Sequence, residues 1–279
     1  MSSTINLQQK KKKLIGKREI IVSVLAIILA TAGIKASDSL LGESGDNALC
    51  PPEMVFIPSS SGGFCIDRYE ASASDDCPVV DVFTQKDSRE NMASADCKPD
   101  SIVDASPWVF ISQNQAREAC ARVGKRLPTN KEWLSASLGT PDKESSWGAS
   151  DCHVSENWES QPGLTGSGEN CSSSFGAFDM IGNVWEWTDE TINNGKLDGV
   201  ELPKQGFVYE TDDEGLAMET GSETNQNYNN DYFWIKNSGV RGVARGGFYS
   251  NEEQAGVYAT YLVSEPSYTG VGVGFRCVK

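Results

Sequence analysis

The chain has 279 residues, 38% of them hydrophobic and seven of them Trp, enough for a packed core and against global disorder. Seven of its 24 basic residues (Lys10, Lys11, Lys12, Lys13, Lys17, Arg18 and Lys35) but only Glu19 of its 39 acidic ones lie within residues 1–36, which leaves residues 37–279 with 17 and 38, a net of −21. A domain so acidic repels phosphate backbones, so nucleic acid is not expected as a partner.

The N-terminal region pairs a basic run, 10–18, with an uncharged apolar stretch of 15 residues, Ile20 to Ile34. A bilayer span needs about 20 residues, so this stretch crosses a membrane only if the flanking lysines snorkel. It fits the apolar region of a signal peptide, with Ala30-Thr31-Ala32 as a cleavage site, and equally an uncleaved anchor whose positive end stays in the cytoplasm. Either way residues 1–36 predict export, to the cell surface on a membrane anchor or as a secreted protein. Residues 37–49 are small and polar and read as a tether to a domain over 50–279.

Within that domain, Met54–Pro58 and Phe64–Tyr69 are short apolar runs separated by Ser and Gly, the pattern of a hairpin. Residues 71–106 are polar and read as a loop. Two helices follow. Ser112 with Gln115 forms a capping box, Ala116, Ala119, Cys120 and Val123 fall on one face, and Gly124 stops the helix. Thr129 with Glu132 forms a second capping box ahead of Trp133, Leu134 and Leu138, with Gly139 as the stop. Beyond residue 140, Gly, Asn, Ser and Asp dominate and predict long loops, and the acidic, Asn-rich stretch 190–238 reads as an insertion. Val243 to Val278 alternates enough for two or three strands. The class is α+β, with two short helices, small twisted sheets and much irregular loop.

The eight cysteines, Cys50, Cys65, Cys77, Cys97, Cys120, Cys152, Cys171 and Cys277, form no CxxC pair, so a zinc knuckle is not expected. An even, spread set behind an export signal reads as disulfides in an oxidising compartment. The single histidine, His153, lies in a Cys/Ser-rich loop and is expected at the surface.

Six stretches carry a resemblance: Phe64–Glu70 (FCIDRYE), Gln115–Cys120 (QAREAC), Gly124–Trp133 (GKRLPTNKEW), Phe175–Thr188 (FGAFDMIGNVWEWT), Arg245-Gly-Gly247 and Gly274–Cys277 (GFRC). In this order they resemble the formylglycine-generating-enzyme, or sulfatase-modifying-factor, superfamily over about residues 50–279. The resemblance implies a C-type-lectin-like fold, in which the first helix is tied to the last strand by a disulfide, here Cys120 to Cys277. Nearness in sequence then pairs Cys50 with Cys65, Cys77 with Cys97 and Cys152 with Cys171.

The resembled enzyme oxidises a substrate cysteine with copper held by two thiols. Aligned on Arg245-Gly-Gly247, those positions are Asn251 and Gly256 here, and no cysteine lies between Cys171 and Cys277. A second branch holds iron with three histidines, and this chain has one. Neither copper nor iron is expected, and no catalytic residue is assigned. Calcium is the one cofactor the resemblance implies: Asp179, Gly182, Val184 and Glu186 match positions that supply carboxylate and carbonyl oxygens, a hard donor set. Alternatively, Asp179 and Glu186 bond backbone N–H groups in their own loops.

The C-terminal segment resembles the variable region of diversity-generating-retroelement proteins, which mutate adenine-rich codons just ahead of a final Gly-Phe-Arg. An Asn codon changed at its first two bases gives Phe, Tyr, Ser, Asn, Val or Gly, among others. Phe248, Tyr249, Ser250, Asn251, Tyr261, Val263, Ser264, Tyr268, Gly270, Val271 and Gly272 all belong to that set. Tyr and Phe supply large contact area at low entropy cost, and Ser, Gly and Asn adaptable polar contacts. These positions therefore read as a ligand face for a macromolecule, protein or glycan, on another surface. The expected function is an exported, non-catalytic binding domain. Its alternatives are a formylglycine-generating oxidoreductase with altered chemistry and a structural ectodomain that partners an enzyme.

Overall fold

The computed structural model describes residues 49–60 and 62–279; the expected signal segment or anchor lies outside them, as does all of the tether but Leu49. The chain opens with a hairpin of β1 (Met54–Ile57) and β2 (Phe64–Asp67), antiparallel from Met54↔Asp67 to Ile57↔Phe64. A second small pair joins β3 (Ser72–Ala73) to β4 (Pro99–Asp100), and between them lies a helix the sequence reading missed, α1 (Gln85–Ala93). Its cap is Thr84, which accepts from the Asp87 amide. Its buried face is polar: Ser88 accepts from the Trp108 indole at 3.0 Å, and the Asn91 amide bonds both backbone groups of Val79. Apolar periodicity is absent because hydrogen bonds, not apolar packing, hold this helix.

The two helices with sequence signals are α2 (Gln113–Arg122) and α3 (Asn130–Ser137). Both capping boxes are present, Ser112 with Gln115 and Thr129 with Glu132. Ala116, Ala119 and Cys120 are fully buried along one face of α2, and Trp133 and Ala136 along α3. Leu138, expected within this helix, is its C-cap and 46% exposed, because the chain leaves the helix at Ser137.

The main sheet takes its strands from the second half of the chain. In chain order these are β5 (Trp185–Asn193), β6 (Lys196–Leu197), β7 (Val200–Glu201), β8 (Gly206–Thr211), β9 (Ala217–Gly221), β10 (Tyr232–Ile235), β11 (Val240–Arg245), β12 (Thr260–Leu262) and β13 (Val273–Gly274). Their spatial order is β7-β6-β5-β11-β12-β10-β8-β9, with β13 parallel on β5. The stretch 190–238 is thus neither a loop nor a separate subdomain: it supplies β6 to β10, and β10 pairs parallel with β12 at Phe233↔Thr260, Trp234↔Tyr261 and Ile235↔Leu262.

Strand alternation divides the sheet into two faces. Val208, Phe233, Ile235 and Leu262 are buried in one core cluster, whereas Phe207, Tyr232, Trp234 and Tyr261 are half-buried on the opposite face. The largest core cluster gathers Trp108, Leu127, Trp187, Phe275 and the Cys120–Cys277 disulfide between α2 and the sheet.

Four disulfides join Cys50–Cys65, Cys77–Cys97, Cys120–Cys277 and Cys152–Cys171, and no described cysteine is free. Such a set belongs to an oxidising compartment. Cys120–Cys277 closes a loop of 157 residues, the longest of the four. Long loops lose most unfolded-state entropy when closed, so Cys120→Ala/Cys277→Ala is expected to cost about 4 kcal/mol in urea unfolding. A loss under about 1 kcal/mol would show that packing alone holds α2 to the chain end.

Candidate functional site

The C-terminal candidate residues gather around one cavity. After β11 the chain turns sharply at Gly247, whose φ is +93° and whose position leaves no room for a Cβ, since one would lie 2.4 Å from the Ala255 Cβ. Phe248 and Asn251 then close a tight turn, with the Phe248 amide donating to Asn251 Oδ1 at 2.9 Å and the Asn251 amide to the Phe248 carbonyl at 3.1 Å. The loop 266–272 returns over the sheet. It is pinned by the Phe110 amide on the Gly270 carbonyl and by Gln85 Nε2 on Thr269 Oγ1, both at 2.9 Å.

Between the turn and this loop lies a cavity of about 240 Å³, lined by Phe248, Tyr261, Tyr268, Gly270, Val271 and Gly272 together with Trp185, Trp187 and Val273. Six of the eleven expected face positions therefore share one cavity. Trp185, Trp187 and Val273 are lining residues that the sequence reading missed. The signal was the alternation in Trp185-Glu186-Trp187, which sends both indoles to one side of β5 and the carboxylate to the other. The cavity floor is rigid: Trp187 donates to the Ile111 carbonyl at 3.0 Å, and Tyr261 and Ser264 share a hydroxyl contact at 3.1 Å. A Cβ at Gly272 would meet the Phe248 ring at 2.8 Å, so the residues at 248 and 272 constrain each other.

The other expected positions lie outside the cavity. Ser250 is exposed at the turn, Asn251 closes that turn, Val263 is half-buried, and Tyr249 packs on His153 with ring centres 5.7 Å apart. His153 itself is a correction: it is fully buried, not a surface residue, and stacks on Trp158 at 4.7 Å. Burial holds its pKa below the usual imidazole value.

Of Asn251 and Gly256, the positions the sequence matched to the copper thiols, Gly256 lies against the Asp231 carboxylate. A Cβ on Gly256 would sit 1.8 Å from Asp231 Oδ1, so the volume a side chain needs is filled by that carboxylate. Asp231 Oδ2 accepts from the Tyr258 amide at 2.7 Å, and Asp142 Oδ2 from the Val257 amide at 3.1 Å. Burial raises both acids, Asp142 to about 7, and Asp142 raises Asp231 further.

Beneath the cavity lies a second charged cluster. The Arg276 guanidinium donates from Nε and Nη2 to Glu186, at 2.5 to 2.9 Å, and the Trp133 indole donates to the same carboxylate at 2.7 Å. Glu70, Asp179 and Glu186 are all within 1% of full burial, so three carboxylates face one guanidinium. Burial and its acidic neighbours lift Glu70 well above the usual range, and burial lifts Asp179 to about 7. Asp179 Oδ2 accepts from the Gly166 amide at 2.6 Å, but its Oδ1 has no partner.

Of the calcium set read from the sequence, Glu186 is thus occupied as the counter-ion of Arg276. Asp179, with a vacant oxygen and surplus negative charge around it, fits a hard cation on charge and donor type. Among the described residues no three His, Cys, Asp or Glu side chains converge as a metal site, so a cation there would lean on the backbone carbonyls of Gly182 and Val184.

The domain so described is a disulfide-tied α+β fold with an aromatic C-terminal cavity. Residues 40–279 match the family described as sulfatase-modifying factor enzyme 1-like domain, and the chain belongs to that family. Formylglycine-generating enzyme of Bos taurus is 30% identical over 141 residues, covering 40% of this chain and 38% of the relative. "Inactive C-alpha-formylglycine-generating enzyme 2" of Bos taurus is 33% identical over 99 residues, covering 29% of this chain and 32% of the relative. The aligned part thus spans well under half of either relative. Among solved structures, the Major Tropism Determinant I1 variant superposes with a TM-score of 0.44 at 18% identity, over 83% of this chain and 53% of that one.

The buried acids give the domain a pH dependence. Asp142 titrates near 7 folded against 3.8 unfolded, so its contribution to stability is fully present below about pH 4 and is lost as pH rises through 7. Urea unfolding should therefore show the protein more stable at pH 5 than at pH 8, with Asp142 supplying on the order of 3 kcal/mol of the difference. Asp142→Asn should flatten that dependence; an unchanged profile would refute the assignment.

Proposed function

We propose that this is an exported, non-catalytic binding domain, secreted or held at the cell surface by its N-terminal segment, whose C-terminal loops form the ligand face. The observation that carries the reading is the cavity that collects Phe248, Tyr261, Tyr268, Gly270, Val271 and Gly272 between a disulfide-tied sheet and its loops. Aromatic rings on a rigid support are the chemistry of a binding hot spot, since little side-chain entropy is lost when a partner docks. Ser250, Tyr268 and Val271 of the expected face are exposed, open to a docking partner. Diversification of this face by a retroelement is part of the reading. It is tested by the gene's surroundings: a reverse transcriptase and a near-identical template repeat with adenines at the eleven codons are expected, and their absence removes diversification.

The binding reading is tested on an array of extracellular proteins and glycans. Tyr261→Ala/Tyr268→Ala should weaken any ligand retained by the wild type at least tenfold while leaving the fold intact. A ligand held equally by both proteins would sink it.

The oxidoreductase alternative meets Asp231 where the second thiol would stand. Incubation with a sulfatase-type Cys peptide, oxygen and copper should give no aldehyde by mass spectrometry. Asn251→Cys/Gly256→Cys should gain no Cu(I) affinity, because the carboxylate fills the space the Gly256 side chain would need. Aldehyde formation by the wild type would reinstate the enzyme.

Calcium is proposed as a structural ion at Asp179, with the Gly182 and Val184 carbonyls completing the donors. Supporting it are the vacant Asp179 oxygen and the excess of buried negative charge. Millimolar calcium should raise the melting temperature of the wild type and not of Asp179→Ala. Identical melting with calcium and with chelator would remove the ion.

A further inference from the structure

The cavity is one end of a longer aromatic surface. β10 places Trp234 directly opposite Tyr261 of β12, and β8 places Phe207 opposite Tyr232 of β10. Ring contacts run without a break from Phe207 to Tyr232 (5.1 Å), Tyr232 to Trp234 (4.8 Å), Trp234 to Trp185 (5.4 Å) and Trp185 to Tyr261 (5.6 Å). Alternation fixes their common side: Val208, Phe233, Ile235 and Leu262 turn into one core cluster, and Phe207, Tyr232, Trp234 and Tyr261 turn to the opposite face and stay half-buried, Trp234 and Tyr261 resting there on a second cluster. Three of these rings come from 190–238, which therefore builds binding surface rather than decorating the fold.

The five rings of the strip are all uncharged side chains. No described cation stacks on these rings; the two cation–π contacts lie on Trp147 and Trp133. The indole N–H groups of Trp185 and Trp234 have no acceptor among the described residues, and the Tyr261 hydroxyl has only Ser264, at 3.1 Å, beside it. A ligand matched to this surface needs apolar faces for the rings, polar groups at its margin for the indole and hydroxyl donors, and no charge. The net of −21 over residues 37–279 repels anions, and it would draw a basic partner to the acidic remainder of the domain rather than to this neutral strip. Pyranose rings meet the requirement, with C–H faces that stack on aromatics and equatorial hydroxyls around them.

We infer that the strip from Phe207 through Trp234 to the Tyr261 cavity binds a neutral glycan chain, with Tyr232 and Trp234 as specificity-determining residues. This rests on the binding-face reading and narrows it to one ligand class. Maltohexaose, cellohexaose and chitohexaose are the probes, titrated by tryptophan fluorescence, with hexagalacturonate as the anionic control. At least one neutral hexasaccharide should bind, with affinity unchanged between about 50 and 500 mM salt, because no ion pair is made. Trp234→Ala should lower that affinity at least tenfold. Because Trp234 also packs against the core, Tyr232→Ala is the parallel variant, and a several-fold loss is expected there with the melting temperature retained. Binding of none of the neutral sugars, preference for the anionic one, or affinity unaltered in both variants overturns the inference. A protein ligand that is lost in Tyr261→Ala/Tyr268→Ala but not in Trp234→Ala would overturn it too, while leaving the binding face in place. Loss of neither in any variant ends both.

Discussion

The Glu186–Arg276 ion pair holds the domain together from inside. Neither residue has measurable solvent contact beyond 1%, and each also bonds other parts of the chain. Arg276 donates to the backbone carbonyls of Asp67 and Phe178, while Glu186 accepts from Trp133 of α3. One contact therefore joins the first hairpin, the second capped helix, the loop before β5 and the last residues of the chain. Burying two charges is costly, and an isolated pair is not a source of net stability. Its weight lies in the alternative: with one partner gone, a charge would be stranded in the core at a cost of about 3–5 kcal/mol. The Arg276 partners tolerate few other arrangements, so the pair selects one geometry for elements far apart in sequence.

That geometry sets the orientation of the candidate face. Glu186 points inward from β5, so its neighbours Trp185 and Trp187 must point the other way, into the cavity wall. The opposite side of the same strand thus carries the charge anchor. None of the hydrogen bonds of that anchor reaches residues 248–272, so the loops over the cavity are held separately from it.

Local signals in the sequence were read well and non-local ones poorly, for physical reasons. Both capping boxes are interactions across three residues, so Ser112–Gln115 and Thr129–Glu132 appear in the sequence as they do in space. The hairpin was legible as two apolar runs around a Ser/Gly stretch, and the family resemblance carried the Cys120–Cys277 tie. By contrast, α1 is held by Ser88 and Asn91 through polar contacts, a pattern that hydropathy does not distinguish from a loop. The strands of 190–238 depend on β10 pairing in parallel with β12, a partner that local alternation cannot name. His153 was misplaced because its burial comes from Trp158 and Tyr249, residues whose proximity only the fold creates. Asp179 was legible as an acid in a motif, whereas Glu70, equally buried beside it, was visible only as the end of a matching stretch.

The carboxylate of Asp231 against Gly256 has a consequence for which substitutions this loop admits. A side chain at 256 and the Asp231 carboxylate claim the same space, and Asp231 also braces the Tyr258 amide. Any larger residue at 256 would require Asp231 to move first, and that movement would loosen the loop. Positions 231 and 256 are therefore locked as a pair: the second can gain a side chain only after the first has given up its place.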